Sequence, residues 1–294
     1  MRDRILSTVG LWTVVFLVIW VGGFFSLREQ LAFILLAALI CAAQWEFYRL
    51  ASAMPGVAAP RMSGVVAGGA LLFALFFVAP ENVRASPPLA LAALGFGAHL
   101  LTLLRRPGQP PAFLRHFPTT YGLLYLPLML SPLIAIARMA DGQLLNRQES
   151  GLHYVVWVFV ATKFTDVGGL LIGVPFGKHK LAPGISPGKS WEGCLGGLAF
   201  SALASAGFAA AVNAWGDVQF MIPWKAGLLA LPLALLSIPS DLVESVFKRL
   251  AGAKDSGATI PGIGGALDLI DSMVLTSPAA LLLLSYCLEW ARRA

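Results

Sequence analysis

Apolar runs of near-membrane length follow one another along the chain, separated by short polar segments. Nine such runs stand out, at 7–25, 31–50, 63–80, 86–104, 119–138, 152–174, 193–213, 225–247 and 272–290. Each approaches the about 20 residues a helix needs to cross roughly 30 Å of hydrocarbon. The pattern predicts an all-α fold: a polytopic transmembrane helical bundle of about nine spans, N-terminus cytoplasmic. Runs 63–80 and 86–104 are short and parted by PENVRASPP, and Pro232 and Pro239 interrupt 225–247. Such breaks are tolerated where the backbone is buried in protein or lines a wet cavity. Arg2 and Arg4 precede the first run as they would in a secretory signal. The run is long, lacks a small-x-small cleavage site and is followed at once by another, so an uncleaved helix is expected.

Composition agrees with the pattern. The 294 residues are 57% hydrophobic and 12% charged, with a mean hydropathy of +0.77. A soluble domain carries about a quarter charged residues, and one globular core cannot hide this much apolar surface. Lys and Arg set the orientation. With nine spans and the N-terminus inside, thirteen fall on inner segments and seven on outer ones, Lys163 lying within a span. Loops 175–192 and 248–268 then face the cytoplasm. The net charge of +6 and pI near 9.5 suit anionic headgroups. Basic residues scattered over short loops argue against nucleic acid as a partner. Cys41, Cys194 and Cys287 lack metal-ligand spacing and read as buried small hydrophobes. The expected organisation is one integral membrane domain, 1–294. Within it, 1–150 shows no distinctive chemistry and 151–294 carries the catalytic spans and loops.

Ionisable residues at membrane depth are costly and mark function. Lys163 and Asp166 are three apart inside 152–174 and share a helical face. They form either a structural ion pair or a contact to an anionic ligand. At helical spacing Asp241, Glu244, Ser245 and Lys248 share one face at the end of 225–247. The next stretch, KRLAGAKDSGATIPGIGGALDLID at 248–271, gathers Lys248, Arg249 and Lys254 with Asp255, Asp268 and Asp271. Crowded carboxylates repel unless a cation sits among them, and oxygen-only ligands suit Mg2+. The cations suit phosphates, and Gly264 and Gly265 allow close backbone approach to a ligand.

The loop PFGKHKLAPGISPGKSWEG is similar in character. GISPGKS has three residues between its glycines where a Walker A loop needs four, and Pro187 removes an N–H. A P-loop is therefore excluded. Lys178, Lys180, Ser186, Lys189 and Ser190 remain as an anion clamp, with His179 among them.

Two stretches resemble the phosphatidate cytidylyltransferase (CDP-diacylglycerol synthase) family. One is Ser245-x-Phe247-Lys248-Arg249-x4-Lys254-Asp255-x-Gly257-x2-Ile260-Pro261 with Gly264-Gly265-x2-Asp268-x2-Asp271; the other is the 165–193 block. Ile263 and Leu269 stand where that pattern usually has His and Arg. The resemblance implies transfer of CMP from CTP to phosphatidate with release of pyrophosphate, in phospholipid biosynthesis at the cell (inner) membrane, with the site facing the cytoplasm. It implies Mg2+ held by Asp255, Asp268 and Asp271, with Asp241 and Glu244 in support. Lys248, Arg249 and Lys254 would neutralise phosphates, while Lys163, Asp166, Ser245 and the 178–190 loop contact substrate. CTP, phosphatidate and membrane lipid are the expected partners, and a homodimer is left open. A CTP-dependent polyprenol or lipid kinase and a membrane transporter are the alternative readings.

Overall fold

The computed structural model describes residues 28–78, 110–138, 151–215, 220–259 and 264–293, with scattered positions between 93 and 108. The first expected span, 7–25, and most of 86–104 lie outside the described residues.

The other apolar runs form helices. They are α1 (Arg28–Ser52), α2 (Arg61–Phe73), α3 (Ala112–His116), α4 (Pro118–Leu123), α5 (Met129–Arg138), α6 (Gly151–Phe176), α7 (Trp191–Trp215), α8 (Pro223–Leu250), α9 (Ala266–Ile270) and α10 (Met273–Arg293). Seven helical segments among the described residues are long and apolar enough to cross a membrane. At about 1.5 Å per residue, the 28 residues of α8 exceed the hydrocarbon thickness. Pro118 and Pro223 occupy first-turn positions, where the missing N–H has no intrahelical partner to lose. A wide π turn at Leu124–Leu128, containing Pro127, links α4 to α5 and keeps the span continuous. Between α6 and α7 the chain folds into an antiparallel hairpin of β1 (Lys180–Ala182) and β2 (Ser186–Ser190).

Small residues set how closely α6 and α7 pack. A Cβ on Gly168 would sit 2.5 Å from the Phe200 Cβ, and one on Gly196 would sit 2.5 Å from Ile172. Backbones approach this closely in lipid through such residues, because burial of apolar surface does not drive helices together there. Ser201 Oγ donates to the Ala161 carbonyl at 2.7 Å across the same interface. Leu170, Leu171, Val174, Leu195 and Leu203 point outward, as lipid-facing side chains do. The interior is aromatic: Phe247 of α8 packs edge-on against Phe47 of α1 at 5.4 Å and against Tyr125 at 5.1 Å. This contact fixes α8 against the N-terminal helices.

The last span differs from its expected bounds. The apolar run predicts a start near 272, yet the helical segment begins at Ala266 and brings Asp268 and Asp271 into the span. Helix α9 tolerates them because Asp268, in its first turn, accepts the Gly265 N–H at 2.7 Å and both acids find lysine partners.

Candidate active site

The centre of the site is built by α8 and the α9–α10 junction. Asp241, Glu244 and Lys248 are placed on one face of α8 by helical spacing, and Asp271 meets them from the junction. One carboxylate oxygen from each of Asp241, Glu244 and Asp271 lies within 4.8 Å of the others. The junction is pinned to α8 by Ser240, whose hydroxyl donates to the Asp271 carbonyl and accepts the Leu275 N–H at 3.2 Å.

Each of these acids has a lysine, and each lysine comes from a different element. Lys163 of α6 contacts Asp271 at 3.2 Å and Asp166 at 3.7 Å. Lys189 of β2 contacts Asp241 at 2.5 Å. Lys248 of α8 pairs with Glu244 and with Asp268 at 2.9 Å. Five carboxylates thus meet three lysines, leaving two surplus negative charges when all are ionised. That surplus equals the charge of one divalent cation. Glu244 is fully buried, and its Oε1 has no hydrogen-bond partner among the described residues. Its Oε2 has the Lys248 ammonium in ionic contact without hydrogen-bond alignment. A buried carboxylate oxygen left unsatisfied is unfavourable by several kcal/mol in round figures, about 1–3 for a neutral group and more for an ion. An oxygen-only donor set of this kind suits a hard divalent ion, so the residues present fit one.

Of the expected metal ligands, Asp241, Glu244 and Asp271 come together. Asp268 lies beside them, held by Lys248 and by the Ser256 N–H at 3.2 Å and hydroxyl at 2.9 Å. Asp255 is exposed in the loop, as is its neighbour Lys254, and it is not part of the convergent trio. Arg249 is exposed and reaches the hairpin, donating to the Ile185 carbonyl at 3.4 Å. Lys178 and Lys180 are exposed at the hairpin's start, while Ser186 is half-buried. Ser190 is buried and accepts the Gly193 N–H at 3.1 Å, starting α7. Ser245 is buried on α8. Gly264 has φ +125, a conformation that favours glycine. Ile263 falls outside the described residues. Leu269 is buried in the apolar interior.

Three residues with evident roles escaped the sequence reading. Glu46 of α1 is buried and accepts hydrogen bonds from Ser256, Thr259 and the Leu267 N–H. Arg49, one turn on, donates to the Ser256 carbonyl. Glu192 accepts the backbone N–H groups of Lys178 and His179 and pairs with the His179 ring at 2.6 Å, closing the hairpin. The signal for the first two was available: both are ionisable residues within the apolar run 31–50.

Fold and site together define a polytopic helical membrane protein whose spans enclose a lysine-paired carboxylate centre with an excess of acids. The chain belongs to the cytidylyltransferase family, whose model matches residues 2–287. It is similar to the phosphatidate cytidylyltransferase of Mycobacterium bovis, 38% identical over 144 residues, covering 49% of this chain and 45% of that one. The Haemophilus influenzae phosphatidate cytidylyltransferase is 40% identical over 136 residues, 44% of each chain. That of Staphylococcus saprophyticus is 38% identical over 154 residues, covering 52% of this chain and 57% of its own. The matched region spans about half the length of these curated relatives.

Proposed function

We propose that the protein transfers the cytidylyl group of CTP to phosphatidate, forming CDP-diacylglycerol and pyrophosphate, with Mg2+ as cofactor, in phospholipid synthesis. The observation that carries this reading is the convergence of Asp241, Glu244 and Asp271, each lysine-paired, in a cluster that with Asp166 and Asp268 holds five carboxylates against three lysines. The names of the relatives supply the substrates.

A phosphate monoester needs no general base to attack, because its second ionisation falls near pH 6. One of its oxygens forms the new bond to the α-phosphorus of CTP, the bond from that phosphorus to the bridging oxygen of the β-phosphate breaks, and pyrophosphate leaves. Little covalent chemistry falls to the protein; positioning and charge stabilisation dominate. Asp241, Glu244 and Asp271 would hold the divalent ion, which when bound supplies charge neutralisation and Lewis acidity toward phosphoryl oxygens. Lys163, Lys189 and Lys248 keep the acids in place before substrate arrives, and once an ion takes over the acids these lysines would be free to neutralise phosphates. Lys178, Lys180 and Arg249, exposed at the hairpin and the end of α8, draw in polyanions from solution. Lys254 and Asp255, on the exposed loop, complete the substrate contacts. The active site faces the cytoplasm, where CTP is made, and the enclosing helices keep the lipid substrate within reach of the bilayer.

Labelled CTP and phosphatidate, supplied to membranes containing the protein with and without Mg2+, test the reading. Metal-dependent CDP-diacylglycerol with stoichiometric pyrophosphate supports it. Release of CDP with a phosphorylated lipid would point instead to a CTP-dependent lipid kinase.

A further inference from the structure

The buried acid Glu46 stands outside the centre just described, on the opposite side of the glycine-rich loop. It is 3% exposed on α1, between Trp45 and Phe47 in an otherwise apolar run that holds Gln44 and Arg49 nearby. A charged group at that depth persists only when it is densely bonded. Among the described residues its donors come from the segment 256–267. The Ser256 hydroxyl lies 3.0 Å from Oε2, the Thr259 hydroxyl donates to Oε1, and the Leu267 N–H donates to Oε2 at 2.9 Å. Charge-assisted bonds of this kind are about twice as strong as neutral ones. Arg49 holds the same turn through the Ser256 carbonyl.

The loop is shaped around this carboxylate. A Cβ on Gly257 would lie 2.3 Å from Glu46 Oε1, and one on Gly265 would lie 2.2 Å from Glu46 Oε2. Two glycines of the motif are therefore accounted for by Glu46, which needs the space their missing side chains leave. Ser256 then passes the constraint on: its N–H donates to Asp268 Oδ2 at 3.2 Å, and its hydroxyl, with one proton to share between Glu46 and Asp268, lies 2.9 Å from the same oxygen. Asp268 is tied in turn to Lys248 and to the start of α9. Asp271 follows one turn later.

We propose that Glu46 is a positioning residue: from α1 it clamps both ends of the glycine-rich loop and, through Ser256, Asp268 and the start of α9, fixes Asp271 for ion binding. The assignment rests on the cytidylyl-transfer reading for its catalytic consequence, but not for its effect on the ion. Glu46 touches neither the convergent trio nor, on this account, the substrates.

The test uses the full-length protein in detergent, with Mn2+ as the probe ion. Mn2+ affinity is titrated by electron paramagnetic resonance without nucleotide, and kcat and KM for CTP are measured separately. Glu46→Ala is expected to weaken Mn2+ binding by about 10–100-fold, the usual effect of losing a partner that orients a metal ligand. It lowers kcat while leaving KM for CTP unchanged. Glu46→Gln, whose carbonyl oxygen still accepts from Ser256 and Leu267, recovers most of both. Ser256→Ala reproduces the weaker Mn2+ binding, and it carries the test if Glu46→Ala does not fold. Wild-type Mn2+ affinity in folded Glu46→Ala or Ser256→Ala, with only the thermal midpoint lowered, overturns the proposal and reduces Glu46 to a structural latch. A wild type that binds Mn2+ but makes no CDP-diacylglycerol overturns the reaction reading alone, because the ion titration still separates the variants.

Discussion

Asp271 and Asp255 belong to the same charged, glycine-rich stretch, yet the fold gives them opposite surroundings. Asp271 is buried where α9 meets α10, within reach of Lys163, Asp241 and Glu244. Asp255 is exposed beside Lys254. A charge at the first position acts in a medium that screens little, whereas one at the second is weakened by water. The centre therefore divides into a buried end that holds its charges in place and an outer loop open to solvent.

The largest expected effect lies at the buried end. Asp271→Asn or Asp241→Asn lowers CDP-diacylglycerol formation by at least about 10²–10³-fold, the scale of removing one preorganised electrostatic group. Assay of labelled CTP in membranes with matched protein levels checks this, and near wild-type turnover in both variants breaks the comparison. Lys248→Met comes next. It strips Glu244 and Asp268 of their shared cation, and breaking a buried pair this way destabilises by about 3–5 kcal/mol. The thermal midpoint in detergent should fall and then recover in part on adding a divalent ion. No recovery would mean that no ion takes up the freed acids.

A third pair of variants probes the scaffold. Gly168→Ala drives a methyl group into Phe200 and the Gly196 carbonyl and should destabilise by about 1–3 kcal/mol. Gly169→Ala meets only the Gly193 carbonyl at 3.7 Å and should stay within about 0.5 kcal/mol of wild type. The same melting measurement reads both. The smallest effect is expected at the outer end. Asp255→Asn should raise KM for CTP by no more than about fivefold, since one solvent-screened contact contributes about 1 kcal/mol or less. A loss as deep as that of Asp271→Asn would mean that the loop closes over bound substrate and shares the buried environment.

Much of this was legible in the sequence because hydrocarbon imposes a length on every span. The runs 31–50, 152–174, 193–213 and 225–247 correspond to α1, α6, α7 and α8 to within a few residues. Helical spacing placed Asp241, Glu244 and Lys248 on one face, and Lys163 beside Asp166, because i, i+3 and i+4 geometry is local. Which charges meet across the bundle is not local. Pairing of Lys163 with Asp271, 108 positions away, and of Lys189 with Asp241 depends on how α6, the hairpin and α8 dock. Glu46 was passed over for the same reason: its hydrogen-bond donors lie more than two hundred positions further on, in a segment that only the docking of α1 against the glycine-rich loop brings near. The start of the last span was placed late because hydropathy counts Asp268 and Asp271 as loop residues, and their lysine partners are invisible to it.

The central claim is that Asp241, Glu244 and Asp271 bind one divalent ion between α8 and the α9–α10 junction. Diffraction from crystals soaked in Mn2+ and CTP, recorded at the manganese edge, tests it most directly. The account predicts an anomalous peak within bonding distance of oxygens from all three carboxylates, with Lys248 turned toward phosphate. A peak on Asp255 with none among the three, or the three carboxylates splayed apart in the soaked crystal, would contradict it.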